Sequence, residues 1–479
     1  MRENISIFFL VLISTAVICF IIIEAYDITR PYRENQEQAL VSENGSTAPV
    51  LTAKNTGQQA TPVPSKAPED PGEEGNKPGV SPAAPTAAPV TPTPVPEADE
   101  EETEPTAAAH PTPTEGVTPT PIAMILDMDY NSDVDDVAAL RVATQLCRHG
   151  RIELRAVMAS TAGDKVCKAM HAHLNYDGFG DVPIGMAQGN VVAGSPYWKD
   201  MTDQHFSMHN YRVYDSVLLY KTILREYAAR EKERQKKLKE EEEERQRQAE
   251  ENLLPELEGE GNTSGNDRRT QEENERRKEA EEEAQVTKVR IVTTGFLVNI
   301  AALLNDPEGY VLVRDYVDSI WITGGVYIQG NDYNFTYTKE CGEAVCYVQA
   351  RCPVPLVFSS SLSVENEKGM ISCGSSIMKT AVNRLDPVVL AFTAYGKANN
   401  VSLIGGRIAW DPFCVWAAAL PSGETQTHLE PIHLGLDSSG WNVFSRNKPA
   451  NCQILMRDND GMGWYAGQLD MWIDAGLAR

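Results

Sequence analysis

The stretch from Ile122 to Leu140 restricts this chain more than any other. An uncharged apolar run, Ile122 to Leu126, leads into five carboxylates within ten positions: Asp127, Asp129, Asp133, Asp135 and Asp136. Val137-Ala138-Ala139-Leu140 then opens an apolar run rich in good helix formers. The pattern predicts a buried strand, an acidic loop and a helix. Carboxylates this close repel one another. A fold keeps them together when something offsets the repulsion, most simply a hard cation with oxygen ligands. The plainer alternative is an acidic helix start with solvated neighbours.

Composition matters chiefly through its unevenness. The 479 residues have room for two or three ordinary domains, and the formal charge of −25 repels a nucleic-acid backbone. No nucleic-acid partner is expected. Nine cysteines are irregularly spaced. Cys341, Cys346 and Cys352 come nearest to a cluster but fit no zinc pattern, so they are expected as core or loop thiols, with room for one disulfide.

Ile5 to Ile23 carries no charge. At about 1.5 Å per residue it just spans a hydrocarbon core of roughly 30 Å. A cleaved signal peptide would have a shorter apolar region and small residues before the cut, so residues 1–26 are expected to be an uncleaved single-pass membrane anchor. Arg2 on one flank and Arg30 and Arg33 on the other leave orientation open. Residues 27–121 are dominated by Pro, Thr, Ala, Glu and Gly, with runs such as Thr91-Pro92-Thr93-Pro94. Such composition predicts a disordered stalk, and a stalked domain favours the extracellular side of the cell membrane.

Residues 122–479 form the expected folded domain. Strands are expected at Ile122 to Leu126, Ile152 to Ala159, Val182 to Gly185, Val289 to Thr294, Ser319 to Thr323 and Val354 to Phe358. Helical patterns fall between them, one of them over Tyr211 to Tyr227. Alternation of this kind predicts an α/β fold, a mostly parallel open sheet with helices on both faces. Residues 228–285 interrupt it with Glu, Lys, Arg and Gln, pairing Glu233 with Lys237, Glu241 with Arg245 and Glu243 with Arg247 at helical spacing. Leu238 is almost the only apolar residue from Arg230 to Glu251, so no seam supports a strong coiled coil. A solvated helical hairpin, or a partly disordered loop, inserted into the domain is expected.

Several motifs share one resemblance. The acidic loop resembles the N-terminal signature of the inosine–uridine-type nucleoside hydrolases, though longer by two residues and with the extra Asp133. Thr294-Gly295-Phe296-Leu297-Val298-Asn299 is similar to that family's turn after a later strand. Asp318 to Tyr327 resembles its strand ending in Gly-Gly, Asp332-Tyr333-Asn334-Phe335 its sugar-holding segment, and Asp411-Pro412 its late Asp-Pro. With the insertion removed, the similarity spans most of Ile122 to about Pro421.

The resemblance implies a nucleoside hydrolase-like fold and a calcium-dependent activity. It implies Ca²⁺ held by Asp129, Asp136 and Asp411 through side chains and by Thr294 through its carbonyl, with Asp129 as general base toward a metal-activated water. Asp135, Asp164 and Asn334 would hold ribose hydroxyls and Asp332 the 5′ end. The small-molecule partner would be a nucleoside or related ribosyl compound. Trp410 stands where many members carry His; it could stack on a base but cannot donate a proton to it. His205 and His209 are the candidate replacement acids. Two other functions fit parts of the pattern: a calcium-dependent sugar- or nucleoside-binding module without turnover, and a haloacid-dehalogenase-type phosphatase with Asp127 as nucleophile. A homo-oligomer is compatible with all three.

Overall fold

The computed structural model describes residues 120–253 and 288–477, apart from 132, 193, 367 and 368. The expected anchor, nearly all of the expected stalk and the second half of the charged insertion lie outside the described residues. Among the described residues, no helix is long and apolar enough to cross a membrane.

The apolar run before the acidic loop is strand β1, Ile122–Met128. Side chains alternate along a strand, and here both sets are buried. Met124, Leu126 and Met128 join one hydrophobic core while Ala123 and Ile125 join another. A strand with two apolar faces belongs in the middle of a covered sheet. β1 pairs in parallel with β2 (Ile152–Ala159) on one side and β5 (Val289–Thr293) on the other.

The other sheet strands are β3 (Ile184–Met186), β4 (Val213–Asp215), β6 (Val317–Thr323), β7 (Gln329–Asn331), β8 (Leu356–Ser359), β9 (Thr427–Leu436), β10 (Trp441–Ser445) and β11 (Cys452–Arg457). Their order is β4-β3-β2-β1-β5-β6-β8-β11-β9-β10-β7. Pairing is parallel from β4 through β11 and antiparallel beyond. The chain steps outward from β1 to β4, then returns to the far side of β1 with β5. The β1/β5 boundary is therefore a topological switch point, where loops diverge and leave a crevice at the strands' carboxyl ends.

Helices cover both faces, as expected for this fold class. On the Met124 side lie α1 (Asp135–Arg148), α2 (Asp164–Asp177) and, from the second half of the chain, three helices named below. On the Ile125 side lie α3 (Ser216–Leu253), α4 (Val298–Asn305), α5 (Pro307–Tyr316) and α6 (Lys339–Arg351), through residues such as Tyr220, Leu303, Leu312 and Val348. The remaining three are α7 (Pro387–Asn399), α8 (Trp410–Ala419) and α9 (Met462–Asp474), which contribute Phe392, Trp416 and Leu469 to the first core.

One sequence expectation needs correction. The helix expected from Tyr211 starts only at Ser216, because Val213–Asp215 pairs with β3 and the Asp215 carboxylate accepts the Leu218 amide (2.8 Å). The described first arm of the charged insertion continues α3, which runs unbroken for 38 residues; the turn of the expected hairpin lies outside the described residues. Its buried apolar residues end at Tyr227. Beyond that, Glu233 meets Lys237 (3.3 Å) and Glu241 meets Arg245 (3.7 Å), while Arg247 donates to the Glu243 carbonyl instead of its carboxylate. The antiparallel strands β9, β10 and β11 were not among the expected elements. All described cysteines are free, including Cys341, Cys346 and Cys352.

A buried guanidinium ties the first helical layer together. Arg141 of α1 is fully buried, with Nε on Asp177 (3.0 Å) and Nη2 on Asp386 (2.9 Å), and Nη1 donating to the Ile473 carbonyl (3.4 Å). One side chain thus joins α1, the end of α2, the start of α7 and α9. Burial alone would raise the Asp177 carboxyl, but Arg141, His173 and Thr144 hold it well below the usual carboxylate range. A carboxyl depressed in the folded state stabilises above its unfolded value of about 3.9, and the stabilisation is lost as pH falls toward the folded value. Asp177→Ala is expected to cost about 3–5 kcal/mol in urea unfolding at pH 7, because it leaves a buried charge half-paired. That cost should shrink as the pH is taken below about 4; a cost independent of pH would contradict the charge assignment.

Candidate functional site

The acidic loop separates its carboxylates according to where β1 ends. Asp127 is still on the strand and points into the second core. There Tyr220 Oη donates to Oδ2 (2.9 Å) and Asn299 Nδ2 to Oδ1 (3.1 Å). Burial pushes its carboxyl up to about 7. It does not line the crevice. Three residues on, the chain turns at Tyr130, whose φ of 47° lies in the left-handed region. The turn lets the Tyr130 amide donate to Asp136 Oδ2 (2.7 Å) and the Asn131 amide to Asp129 Oδ1 (3.1 Å). The Tyr130 hydroxyl meets His173 Nδ1 (3.0 Å), and Tyr197 Oη donates to the carbonyls of Asn131 (2.7 Å) and Asp133 (2.9 Å). The loop is held by partners on both its sides.

The loop after β5 closes against it. Thr294 Oγ1 donates to Asp136 Oδ1 (2.7 Å), and the Thr294 amide to the Asp127 carbonyl (2.8 Å). At Gly295 an added Cβ would stand 2.2 Å from the Asp129 backbone nitrogen, so the two loops approach too closely for a side chain. The segment after β7 completes the rim: Asn334 Nδ2 donates to the carbonyls of Thr294 (2.9 Å) and Thr323 (3.1 Å). Asp332 accepts the amides of Gly325 and Asn334 (2.9 Å each), and burial raises its carboxyl to about 6. From the far end of the chain, α8 presents Trp410 and Asp411 in its first turn.

These segments enclose a cleft of about 360 Å³ lined by Asp129, Asp135, Asp136, Thr294, Asp332, Asn334, Trp410 and Asp411, among others. That is near the lower end of the roughly 300–1,000 Å³ usual for small-molecule sites. Burial, followed by repulsion from neighbouring carboxylates, pushes the Asp129, Asp135 and Asp411 carboxyls well up, and burial also raises Asp136. The Asp129 and Asp136 side chains hydrogen-bond one another. Among the described residues, no three His, Cys, Asp or Glu side chains stand as a ready-made metal cage. The donor set, buried carboxylates with a threonine hydroxyl and carbonyl and no soft donor lining the cleft, nonetheless suits a hard divalent cation in its chemistry.

Not every expected residue reaches the cleft. Asp164 sits at the start of α2, with its side chain 60% exposed, paired with Lys168 (2.6 Å) and accepting from Tyr211 Oη (2.7 Å). Its place after β2 suggested the crevice, but the helix begins at that residue and carries it to the outer surface. His205 and His209 also lie outside the lining; His205 Nε2 faces the Leu385 carbonyl. Sequence reasoning missed Asn131, Tyr333, Ser359, Glu365 and Arg407, which line the cleft. The Ser359 hydroxyl is buried without a hydrogen-bond partner among the described residues. Asp133, counted with the acidic cluster, turns aside to pair with Arg407.

No protein-family model matches this chain, and no curated protein matches it in sequence. Solved structures similar to it include a type III effector protein, XopQ, complexed with adenosine diphosphate ribose, at 14% identity, covering 75% of this chain and 96% of that one with a TM-score of 0.46. An inosine-guanosine nucleoside hydrolase is similar at 14% identity over 73% of this chain and 98% of its own (TM-score 0.46). A plant nucleoside hydrolase, PpNRh1, is similar at 12% identity over 75% of this chain and 100% of its own (TM-score 0.46).

Crowded buried carboxylates cost stability where nothing neutralises them. Asp411→Asn removes one of them without losing any hydrogen bond described above. In chelator at neutral pH the variant is expected to be more stable than the parent by about 0.5–2 kcal/mol. Thermal unfolding of both proteins checks this, and a destabilised variant would show that Asp411 is not in a repulsive cluster.

Proposed function

We propose that this domain is a calcium-dependent hydrolase of the N-glycosidic bond in a nucleoside or related ribosyl compound. One observation carries the reading. Asp129 and Asp136 after β1, Thr294 after β5, Asn334 after β7 and Asp411 on α8 line a single cleft at the switch point of a parallel sheet.

Asp129, Asp136, Asp411 and the Thr294 carbonyl would hold Ca²⁺. When bound, such a cation lowers the pKa of a water toward neutrality. Asp129 then accepts a proton from the attacking water as its oxygen bonds to the anomeric carbon. The C–N bond breaks and its electron pair leaves with the departing nitrogen, through an oxocarbenium-like transition state. Asp135 would accept from a ribose hydroxyl. Asn334 spends its amide hydrogens on two backbone carbonyls, which leaves Oδ1 to accept from another. Asp332, already holding two amides, shapes the wall at the 5′ end. Carboxylates around the ring favour its developing positive charge. Asp164 has no part in this arrangement.

A binding module is the second reading, favoured by one observation: among the described residues no histidine lines the cleft, and Trp410 cannot protonate a leaving base. A phosphatase would need Asp127 as nucleophile, yet that carboxyl lies in the second core under Tyr220 and Asn299.

The full-length protein with calcium is expected to release free ribose from a nucleoside panel. Chelator should abolish release, and Asp129→Asn should lower it by about a hundredfold or more. Release that survives both controls refutes the mechanism, whereas calcium-dependent binding without turnover selects the binding module. The proposal places the domain outside the cell, held by a membrane span within residues 1–26. Protease added to intact cells should therefore remove the activity from the cell surface; full protection would refute that placement.

A further inference from the structure

The turn that brings Asp129 and Asp136 together is held by a residue whose side chain does not line the cleft. Tyr130 has a φ of 47°, a conformation that bulky side chains rarely adopt. There, two consecutive amides each take one carboxylate of the pair: Tyr130 N–H donates to Asp136 Oδ2 (2.7 Å) and Asn131 N–H to Asp129 Oδ1 (3.1 Å). Were Tyr130 to relax to the negative φ usual for its type, both carboxylates would lose those donors at once.

Three contacts oppose that relaxation. Trp198 Nε1 donates to the Tyr130 carbonyl (2.8 Å), and the Tyr197 ring packs edge-on with centroids 5.9 Å apart. The third contact runs inward, from the Tyr130 hydroxyl to His173 Nδ1 on α2 (3.0 Å). His173 Nε2 lies 3.5 Å from Asp177 Oδ2, one turn further along α2, and the same oxygen takes Arg141 Nε (3.0 Å). Tyr130, His173, Asp177 and Arg141 are all buried. A carboxylate beside Nε2 places the imidazole proton there and leaves Nδ1 to accept from the Tyr130 hydroxyl. Burial lowers the His173 pKa, which keeps the ring neutral and that lone pair available at neutral pH. A row of buried polar side chains thus runs from Arg141, which ties the helical layer together, to the loop that carries the carboxylates.

We propose that Tyr130 and His173 are positioning residues: their hydrogen bond holds the turn that sets Asp129 and Asp136 in the arrangement that receives a hard divalent cation. The proposal deepens the calcium reading and rests on it for the cation, whereas the effect on the turn stands apart from any metal. The effect passes through the backbone of residues 129–131, in the way that partners behind a metal's direct ligands set its affinity.

The test uses the full-length protein and four variants: Tyr130→Phe, His173→Leu, the two combined, and His173→Asn, whose Oδ1 replaces Nδ1 as acceptor. Calorimetric titration with calcium chloride is expected to give a Kd about tenfold or more weaker in Tyr130→Phe and in His173→Leu. The double variant should be no weaker than either single one, because both remove the same bond. His173→Asn should bind within about threefold of the parent, since it keeps the acceptor. Hydrogen exchange in chelator, read by mass spectrometry on a peptide covering Tyr130 and Asn131, should accelerate in the first three variants and not in His173→Asn, while β2 stays at the parental rate. A merely structural role would lower the unfolding temperature and leave both Kd and loop exchange at parental values, which overturns the proposal. Additive losses in the double variant, or a His173→Asn as weak as His173→Leu, overturn it as well. If the parent binds no calcium, the calcium reading fails by itself, and loop exchange decides the positioning role. Faster exchange in Tyr130→Phe then supports it; unchanged exchange overturns it.

Discussion

Four carboxyl groups, Asp129, Asp135, Asp136 and Asp411, are buried against one another at the end of β1, and the surrounding structure answers that repulsion. Like charges within a few ångströms in a medium of low dielectric repel strongly, so they stay together only when the backbone carrying them has no freedom to spread. That restraint is visible on every side. The Tyr130 amide and the Thr294 hydroxyl take the two oxygens of Asp136. Tyr197 pins the loop's carbonyls, and the absence of a side chain at Gly295 lets the second loop press against the first. Behind the loop, Arg141 fixes α1, which supplies two of the four groups, to three other elements of the layer.

Those restraints belong to strands and helices rather than to long free loops. The carboxylates follow directly from β1 and from the first turns of α1 and α8, where exposed N–H groups favour negative charge. Side chains placed so close to rigid elements are held more firmly than the same residues on an extended loop. The reacting geometry proposed above therefore depends on the packing of β1 between two apolar cores as much as on the acidic residues themselves.

Much of the fold could be read from periodicity. β1, β2, β5 and β6 are apolar runs bounded by turn residues, and the helices between them show an apolar face. The acidic cluster marked the end of β1 because so many carboxylates have no plainer use there. Three things were illegible for physical reasons. Asp127 and Asp129 look alike in sequence, and strand alternation would put both on one face, but β1 ends at Met128 and the turn at Tyr130 takes the second into the crevice. Asp164 lies after a strand, as crevice residues do, yet opens a helix that carries it to the surface. Arg407 gave no local signal, because its importance comes from Asp133, a residue hundreds of positions earlier in the chain.

The strands that bound the large sheet have a consequence for how copies of the protein coexist. β4 and β7, at its two margins, are only three residues each. An unpaired margin is a template on which another polypeptide can lay its own backbone. With so few open N–H and C=O groups at either margin, an eleven-stranded sheet offers little purchase for lateral growth, and the architecture itself works against fibrous self-association.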